Sequence, residues 1–265
     1  MVYKAKFGLS QRELGLWLDW ERTNVRVVNV GELKNLAGSS AYSLAARLVE
    51  KGVFERLGGG AYAVRPLRFA GRPWTQSPLV TLEALLSDTP HYVGGLTAVT
   101  LHRLSEQLYL SRVDVFVPVS MRPRRVGNAR VVFHRVSLKA FQSGLTFVRV
   151  EGTNVSVSDP ERTLLDALDH PALFGGFREA ETLVRLSLPK VNVSKLVQYA
   201  VELSPSSSCQ RLGLLLEREK TPHHFWTPLA RKVQASASMP SMLPNRSRTG
   251  KFNPRWRIVE NDLAA

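Results

Sequence analysis

Three consecutive glycines, Gly58-Gly59-Gly60, separate two short strand-like runs, Val53–Leu57 and Ala61–Val64. Glycine reaches positive φ at no steric cost, so the pattern predicts a hairpin with a glycine tip. What precedes it narrows the choice further. In Ser39–Pro66, SSAYSLAARLVEKGVFERLGGGAYAVRP, the residues Tyr42, Leu44, Ala45, Leu48 and Val49 are apolar at helical spacing. Ser39 and Ser40 are suited to cap that helix at its N-terminus. Gly52, after Lys51, reads as its C-terminal stop. A helix therefore runs directly into a two-stranded ribbon.

The residues upstream extend the pattern. Residues 1–8 are a basic lead-in with Lys4 and Lys6. Ser10 and Glu13 have capping-box spacing, and Leu14, Trp17 and Leu18 share a face of the helix that follows, which ends at Thr23-Asn24. Val25–Val28 is a short β-branched run suited to pair with the ribbon. Asn29 caps a short helix, Val30–Leu36, and Ala37-Gly38 turns into the Ser39 helix. Helix, strand, helix, turn, helix, hairpin is the order of a winged helix-turn-helix, whose last helix enters the DNA major groove. The plainer alternative is a helix–hairpin unit that packs and binds nothing. Against it, the exposed helix face offers Ser39, Ser40, Ser43 and Arg47, types suited to phosphate and base-edge contact. The ribbon carries Arg56 and is followed by Arg65, Arg68 and Arg72.

Charge points the same way. The 265 residues carry a formal net charge of +14, with a pI of about 10.4, which favours nucleic acid or another anionic surface as partner. Hydrophobic residues make up 44%, enough for a core, while no run approaches the roughly 18–20 apolar residues of a membrane span. One cysteine, Cys209, excludes an intrachain disulfide and fits a reducing cytoplasm. No signal peptide is evident, so the expected location is cytoplasmic, without a membrane partner.

Leu67–Ser77, rich in Arg, Gly and Pro, reads as a linker. The expected division is a winged-helix domain over residues 1–76 and a mixed α/β domain over 77–265, an α+β fold with a small sheet and several helices. Helices are expected at Leu79–Leu86 and Leu96–Leu104. Strands are expected at Val113–Val119, Ala129–His134, Leu145–Glu151 and Thr153–Ser156, with Met121–Arg125 a basic loop. Asp159 and Pro160 open a helix as N-cap and first residue, and Arg162 and Asp166 pair along it. Further helices follow Gly175-Gly176, span Ser194–Leu203 and start at Cys209–Leu216, the last clear one. From about Pro222 the chain reads as a loosely structured basic tail, ending in a short strand at Trp256–Val259.

No catalytic site is expected. Caps and the Arg162–Asp166 pair account for most of Asp159, Glu161, Asp166 and Asp169, and His223-His224 with Cys209 matches no zinc pattern. The glycine pairs lack phosphate-loop contexts, and Cys209 reads as a buried thiol. The expectation is a protein with no cofactor, no metal and no enzymatic activity. A nuclease using Asp159 and Asp166 is the least favoured alternative.

The winged-helix run LVEKGVFERLGGGAYAV, then YVGGLTAVTLHRLSEQ (Tyr92–Gln107), VSDPERTLLDAL, Gly175-Gly176 and QRLGLLLE (Gln210–Glu217) together resemble the AbiEi family. These are the antitoxins of type IV toxin–antitoxin (abortive infection, phage defence) systems. The resemblance implies a repressor that binds inverted repeats in its own operator on double-stranded DNA. It also implies neutralisation of an AbiEii-like nucleotidyltransferase toxin, directly or functionally. Family wings often carry a basic residue among the tip glycines; here Arg56, Arg65 and Arg68 would have to supply that contact. The expected DNA-binding residues are Ser39, Ser40, Ser43 and Arg47, with Lys34, Arg56, Arg65 and Arg68 on phosphate. Tyr42 either reaches the backbone or packs in the core. The alternative function is a basic protein- or RNA-interaction module that reads no DNA sequence.

Overall fold

The computed structural model describes residues 8–72, 74–107 and 111–262. Most of the basic lead-in, with Lys4 and Lys6, lies outside the described residues, as does Pro73. The described chain divides into two units. One runs through Pro90 and takes in Pro123–Val131 and Arg149–Val155; the other comprises His91–Arg122, Val132–Val148 and Ser156 onward.

In the first unit, α1 (Gln11–Arg22) starts with the predicted capping box: the Ser10 hydroxyl accepts from Glu13 N–H, and the Glu13 carboxylate accepts from Ser10 N–H. Its buried arc is Glu13, Trp17 and Trp20. Leu14 and Leu18 are exposed, contrary to the expected stripe. At 100° per residue they flank the two tryptophans, whose bulk fills the core side. A short strand, β1 (Val27–Asn29), leads to α2 (Val30–Ala37), where Asn29 and Glu32 form a second capping box. Gly38, at φ +56°, turns the chain into a 3₁₀ turn, Gly38–Ser40, and then α3 (Ala41–Glu50). Ser39 and Ser40 do not cap α3, because the 3₁₀ turn satisfies the backbone there before the helix begins.

Gly52 ends α3 as predicted. Its N–H bonds Val49 C=O at 3.0 Å and Val53 N–H bonds Leu48 C=O at 2.9 Å, a Schellman motif with Gly52 at φ +73° and Leu48 and Val53 buried. Strands β2 (Phe54–Gly58) and β3 (Ala61–Val64) form the hairpin, with a bulge between Arg56 and Gly58 and all three tip glycines at positive φ. The sheet order is β1-β3-β2, antiparallel throughout, with Val27 opposite Ala63. Trp17, Trp20, Leu33, Leu44, Leu48, Phe54 and Val64 close the core beneath it. This is a winged helix-turn-helix. Helix α4 (Pro78–Leu85) follows in the same unit.

A second sheet has six strands: β4 (Tyr92–Gly94), β5 (Arg112–Val117), β6 (Arg124–Val126), β7 (Ala129–Arg135), β8 (Leu145–Val150) and β9 (Thr153–Ser158). Their order is β6-β7-β5-β4-β9-β8, with β4 antiparallel to β5 and parallel to β9. Two expectations change here. The Met121–Arg125 loop gives up its last two residues to β6, paired to β7 across the Gly127-Asn128 turn. The helix expected over Leu96–Leu104 is α5 (Gly95–Leu101). Arg103 takes φ +55° and Leu104 N–H returns to Val99 C=O, closing the helix early.

Helices α6 (Pro160–Asp169), α7 (Phe177–Ser187), α8 (Val193–Leu203) and α9 (Ser206–Arg218) follow. Asp159 caps α6 with Pro160 at its first position, and Arg162 Nε meets Asp166 Oδ1 at 2.8 Å, all as predicted. The segment from Pro222 is ordered, not loose. It forms α10 (His223–Gln234) and the hairpin of β10 (Lys251–Asn253) and β11 (Ile258–Glu260). Helix α9, which carries QRLGLLLE, holds this segment. Gln210 donates to Ser238 and Arg257 carbonyls, Arg211 to Met242 and Ser241 carbonyls, and Glu217 accepts from Trp256 Nε1 at 2.6 Å. Gly213 lies flat against the fully buried Trp256 ring. Composition hid this, because the anchoring partners are mostly backbone carbonyls.

A Cβ on Gly213 would fall 2.0 Å from the Trp256 ring, inside a filled core. Gly213→Ala is therefore expected to lose about 3 kcal/mol or more, the upper range of overpacking. Gly15→Ala, on an open stretch of α1 with nothing within 4 Å, is expected to gain about 0.5–1 kcal/mol. Thermal and urea unfolding of the two variants check the contrast.

Candidate nucleic-acid interface

The outer surface of α3 presents Tyr42, Ser43, Ala46, Arg47 and Glu50, opposite the buried Ala41, Leu44, Ala45 and Leu48. Tyr42 is 61% exposed, so of its two expected roles the structure excludes the core one. The Lys34 ammonium, from α2, stands 5.8 Å from the Tyr42 ring centroid, a cation–π approach that joins the two helices at the surface. Ser39 and Ser40 lie exposed in the turn between them. The α2–α3 corner thus gathers Lys34, Ser39, Ser40, Tyr42 and Ser43. Arg12, which sequence reasoning missed, donates from Nη2 to Leu36 C=O at 2.8 Å and helps terminate α2.

Arg47 is held from below. Its Nε donates to Glu13 Oε1 at 3.1 Å, while its side chain stays 50% exposed. Lys51 Nζ donates to Glu13 Oε2 at 2.6 Å. The nearly buried Glu13 therefore serves three donors: Ser10 N–H, Lys51 and Arg47. The Lys51 bond and the Ser10 N–H bond pull its pKa from 4.5 down to about 2. The Ser10–Glu13 spacing is visible in sequence, but nothing local indicates partners 34 and 38 residues away.

The wing residues do not converge. Arg56 is exposed on β2. Arg65, half-buried just past β3, donates to the Arg72 carbonyl and lies 5.9 Å from the Trp74 ring centroid; its own carbonyl accepts from Trp17 Nε1 at 2.6 Å. Arg68 is exposed in a 3₁₀ turn with its guanidinium 5.1 Å from the Phe69 ring centroid. The wing tip is tied to α2 by Val30 N–H to Gly60 C=O at 2.9 Å. Among the described residues, no group of three or more His, Cys, Asp or Glu side chains is placed to hold a metal ion. Asp159 and Glu161 share Lys195 Nζ at 2.9 and 3.0 Å, and Cys209 is buried with its thiol pKa raised by that burial. No described helix is long and apolar enough to cross a membrane.

Because Glu13 titrates lower folded than unfolded, its contribution is complete above about pH 4.5 and disappears as pH falls through about 2. Glu13→Gln is expected to cost about 3 kcal/mol at pH 7, the range for breaking a buried ion pair. It should also flatten the loss of stability between pH 4.5 and 2 relative to the parent. Urea unfolding at several pH values measures both.

Residues 92–218 match the family model described as the AbiEi antitoxin C-terminal domain. That span holds the YVGGLTAVTLHRLSEQ, SDPERTLLDAL and QRLGLLLE runs. A solved structure, the crystal structure of RV2827C protein from Mycobacterium tuberculosis, superposes with a TM-score of 0.70 over 98% of this chain and 96% of that one, at 17% identity. At that identity it shows the shared fold. No curated protein matches the chain. The chain thus carries a segment, residues 92–218, that matches the AbiEi antitoxin C-terminal domain, and this segment follows a winged helix-turn-helix.

Proposed function

We propose that the protein represses its own operon by binding inverted repeats in its operator, and that it neutralises a nucleotidyltransferase-type toxin. In this reading residues 1–76 bind DNA and residues 77–265 form the antitoxin domain. The observation that carries it is the α2–α3 corner, where Lys34 of α2, Ser39 and Ser40 of the turn and Tyr42 and Ser43 of α3 are exposed together beside a glycine-tipped wing. Serine hydroxyls at the start of a groove-entering helix, with a lysine on the helix before it, suit phosphate and base-edge contact. Arg47 would reach DNA with its guanidinium already oriented by Glu13. Lys34, Arg56, Arg65 and Arg68 would meet phosphates. A protein of net charge +14 would find DNA by electrostatic steering.

A second reading is a basic RNA- or protein-interaction module that does not read DNA sequence. It is favoured by the intramolecular engagement of Arg47 with Glu13 and of Arg65 with Arg72 and Trp74.

Binding to the protein's own upstream DNA and to a scrambled duplex, measured over a salt series, separates the two. The repressor reading expects roughly a thousandfold preference or more for the upstream DNA. Arg56→Ala should weaken both complexes and flatten the salt slope by about one unit. Ser43→Glu should abolish the preference. Toxin neutralisation in cells by the Ser43→Glu chain should persist if that activity resides in residues 77–265. Equal binding of the parent to both duplexes would overturn the repressor reading.

A further inference from the structure

The hairpin of β6 and β7 contains an arrangement that stability alone does not favour. Its register sets Arg125 directly opposite Arg130. Opposite residues of an antiparallel pair project from the same face, with Cβ atoms about 5 Å apart, and like charges so placed repel. Both arginines are exposed, and among the described residues neither has a carboxylate partner. Charges on an edge strand such as β6 also deter edge-to-edge aggregation. One charge pointing outward on β6 would serve that purpose; a second of the same sign across from it on β7, an inner strand, adds only repulsion. An anionic ligand spanning the two would reverse the sign of that interaction.

The hairpin, residues 123–131, belongs to the same unit as the winged helix. Helix α4 packs against both β1 of the winged-helix sheet and β6, and the Gly127 turn abuts Gln76 and Pro78. One helix, α4, therefore links the hairpin to the winged-helix sheet.

We propose that the β6–β7 hairpin is a second phosphate-binding element for duplex DNA, with Arg125 and Arg130 straddling neighbouring phosphates beside the segment read by α3. This rests on the DNA-binding reading of the winged helix. The forked guanidinium suits bidentate phosphate contact, and strand pairing already fixes the backbone beneath both side chains, so no backbone ordering is needed on binding.

The test uses the full chain carrying Arg125→Ala and Arg130→Ala together, with the upstream duplex, the scrambled duplex and a single-stranded RNA of equal length. The expected result is a salt slope shallower by about 1.8 units, since each phosphate contact contributes about 0.9. Affinity for the two duplexes should fall by the same factor, at least tenfold at moderate salt, and the thermal midpoint should stay or rise as the repulsion is removed. An unchanged slope on duplex DNA would overturn the proposal, as would a lowered midpoint or a slope change confined to RNA. If Arg56→Ala flattens the slope and the double variant does not, the hairpin assignment fails and the winged-helix reading stands. If the double variant flattens the slope while the parent shows no preference for upstream DNA, the hairpin assignment stands and the repressor reading fails.

Discussion

The winged helix is organised around one carboxylate. Glu13 accepts from Ser10 N–H at the start of α1, from Lys51 at the end of α3, and from Arg47 on the exposed face of α3. A carboxylate this buried is costly unless each oxygen is matched, and here both oxygens have cationic donors. The arrangement fixes the rotation of α3 about its axis, because Arg47 and Lys51, four residues apart, must point to the same anion. Rotation in turn decides which residues α3 presents outward. Tyr42 and Ser43 face solvent for the same reason that Leu44 and Leu48 are buried.

This anchoring also defines what Arg47 has to offer a ligand. A guanidinium bonded through Nε keeps its terminal nitrogens free to point outward, pre-oriented and at low entropic cost. Arg65 is different. It fastens the base of the wing, while its carbonyl receives Trp17 Nε1, so it ties α1 to the sheet. Two arginines that look equivalent in the sequence therefore have different surroundings. Lys34, Arg56 and Arg68, by contrast with Arg65, stand exposed on the surface of the unit.

In residues 92–218 the runs that match the AbiEi C-terminal domain model serve mainly to build the fold. Gly94 lies against Phe116, where a Cβ would come within 2.6 Å of the ring, and Gly95, at φ +60°, turns the chain from β4 into α5 beside Asp114. Ser158 and Asp159 end β9 and cap α6, and the Ser158 carbonyl meets His102 Nε2 at 2.7 Å. QRLGLLLE is a clasp for residues 238–257, with Gly213 leaving room for Trp256. The clasp reaches beyond the matched family span, so the chain after Arg218 is part of the same folded body.

Local chemistry made the helix starts and stops legible: the capping boxes at Ser10 and Asn29, Gly52, and the Asp159-Pro160 start each act within a few residues. The hairpin with its glycine tip and the order of the winged helix were legible for the same reason, since φ preference and hydrophobic period are properties of the residues themselves. Sequence could not show that Leu14 and Leu18 would lie outside, that Ser39 and Ser40 would cap nothing, or that the basic tail would fold. Those outcomes depend on which surface comes to rest against which. Trp17 and Trp20 outcompeted the leucines for the core, and α9 supplied partners for carbonyls about 30 to 50 residues further along. The sequence by itself determined where elements begin, end and turn, because those signals are short-range. Only the tertiary structure decided which charges are neutralised and which stand exposed, because Glu13 with Arg47, and Arg125 opposite Arg130, are brought together by packing and strand register.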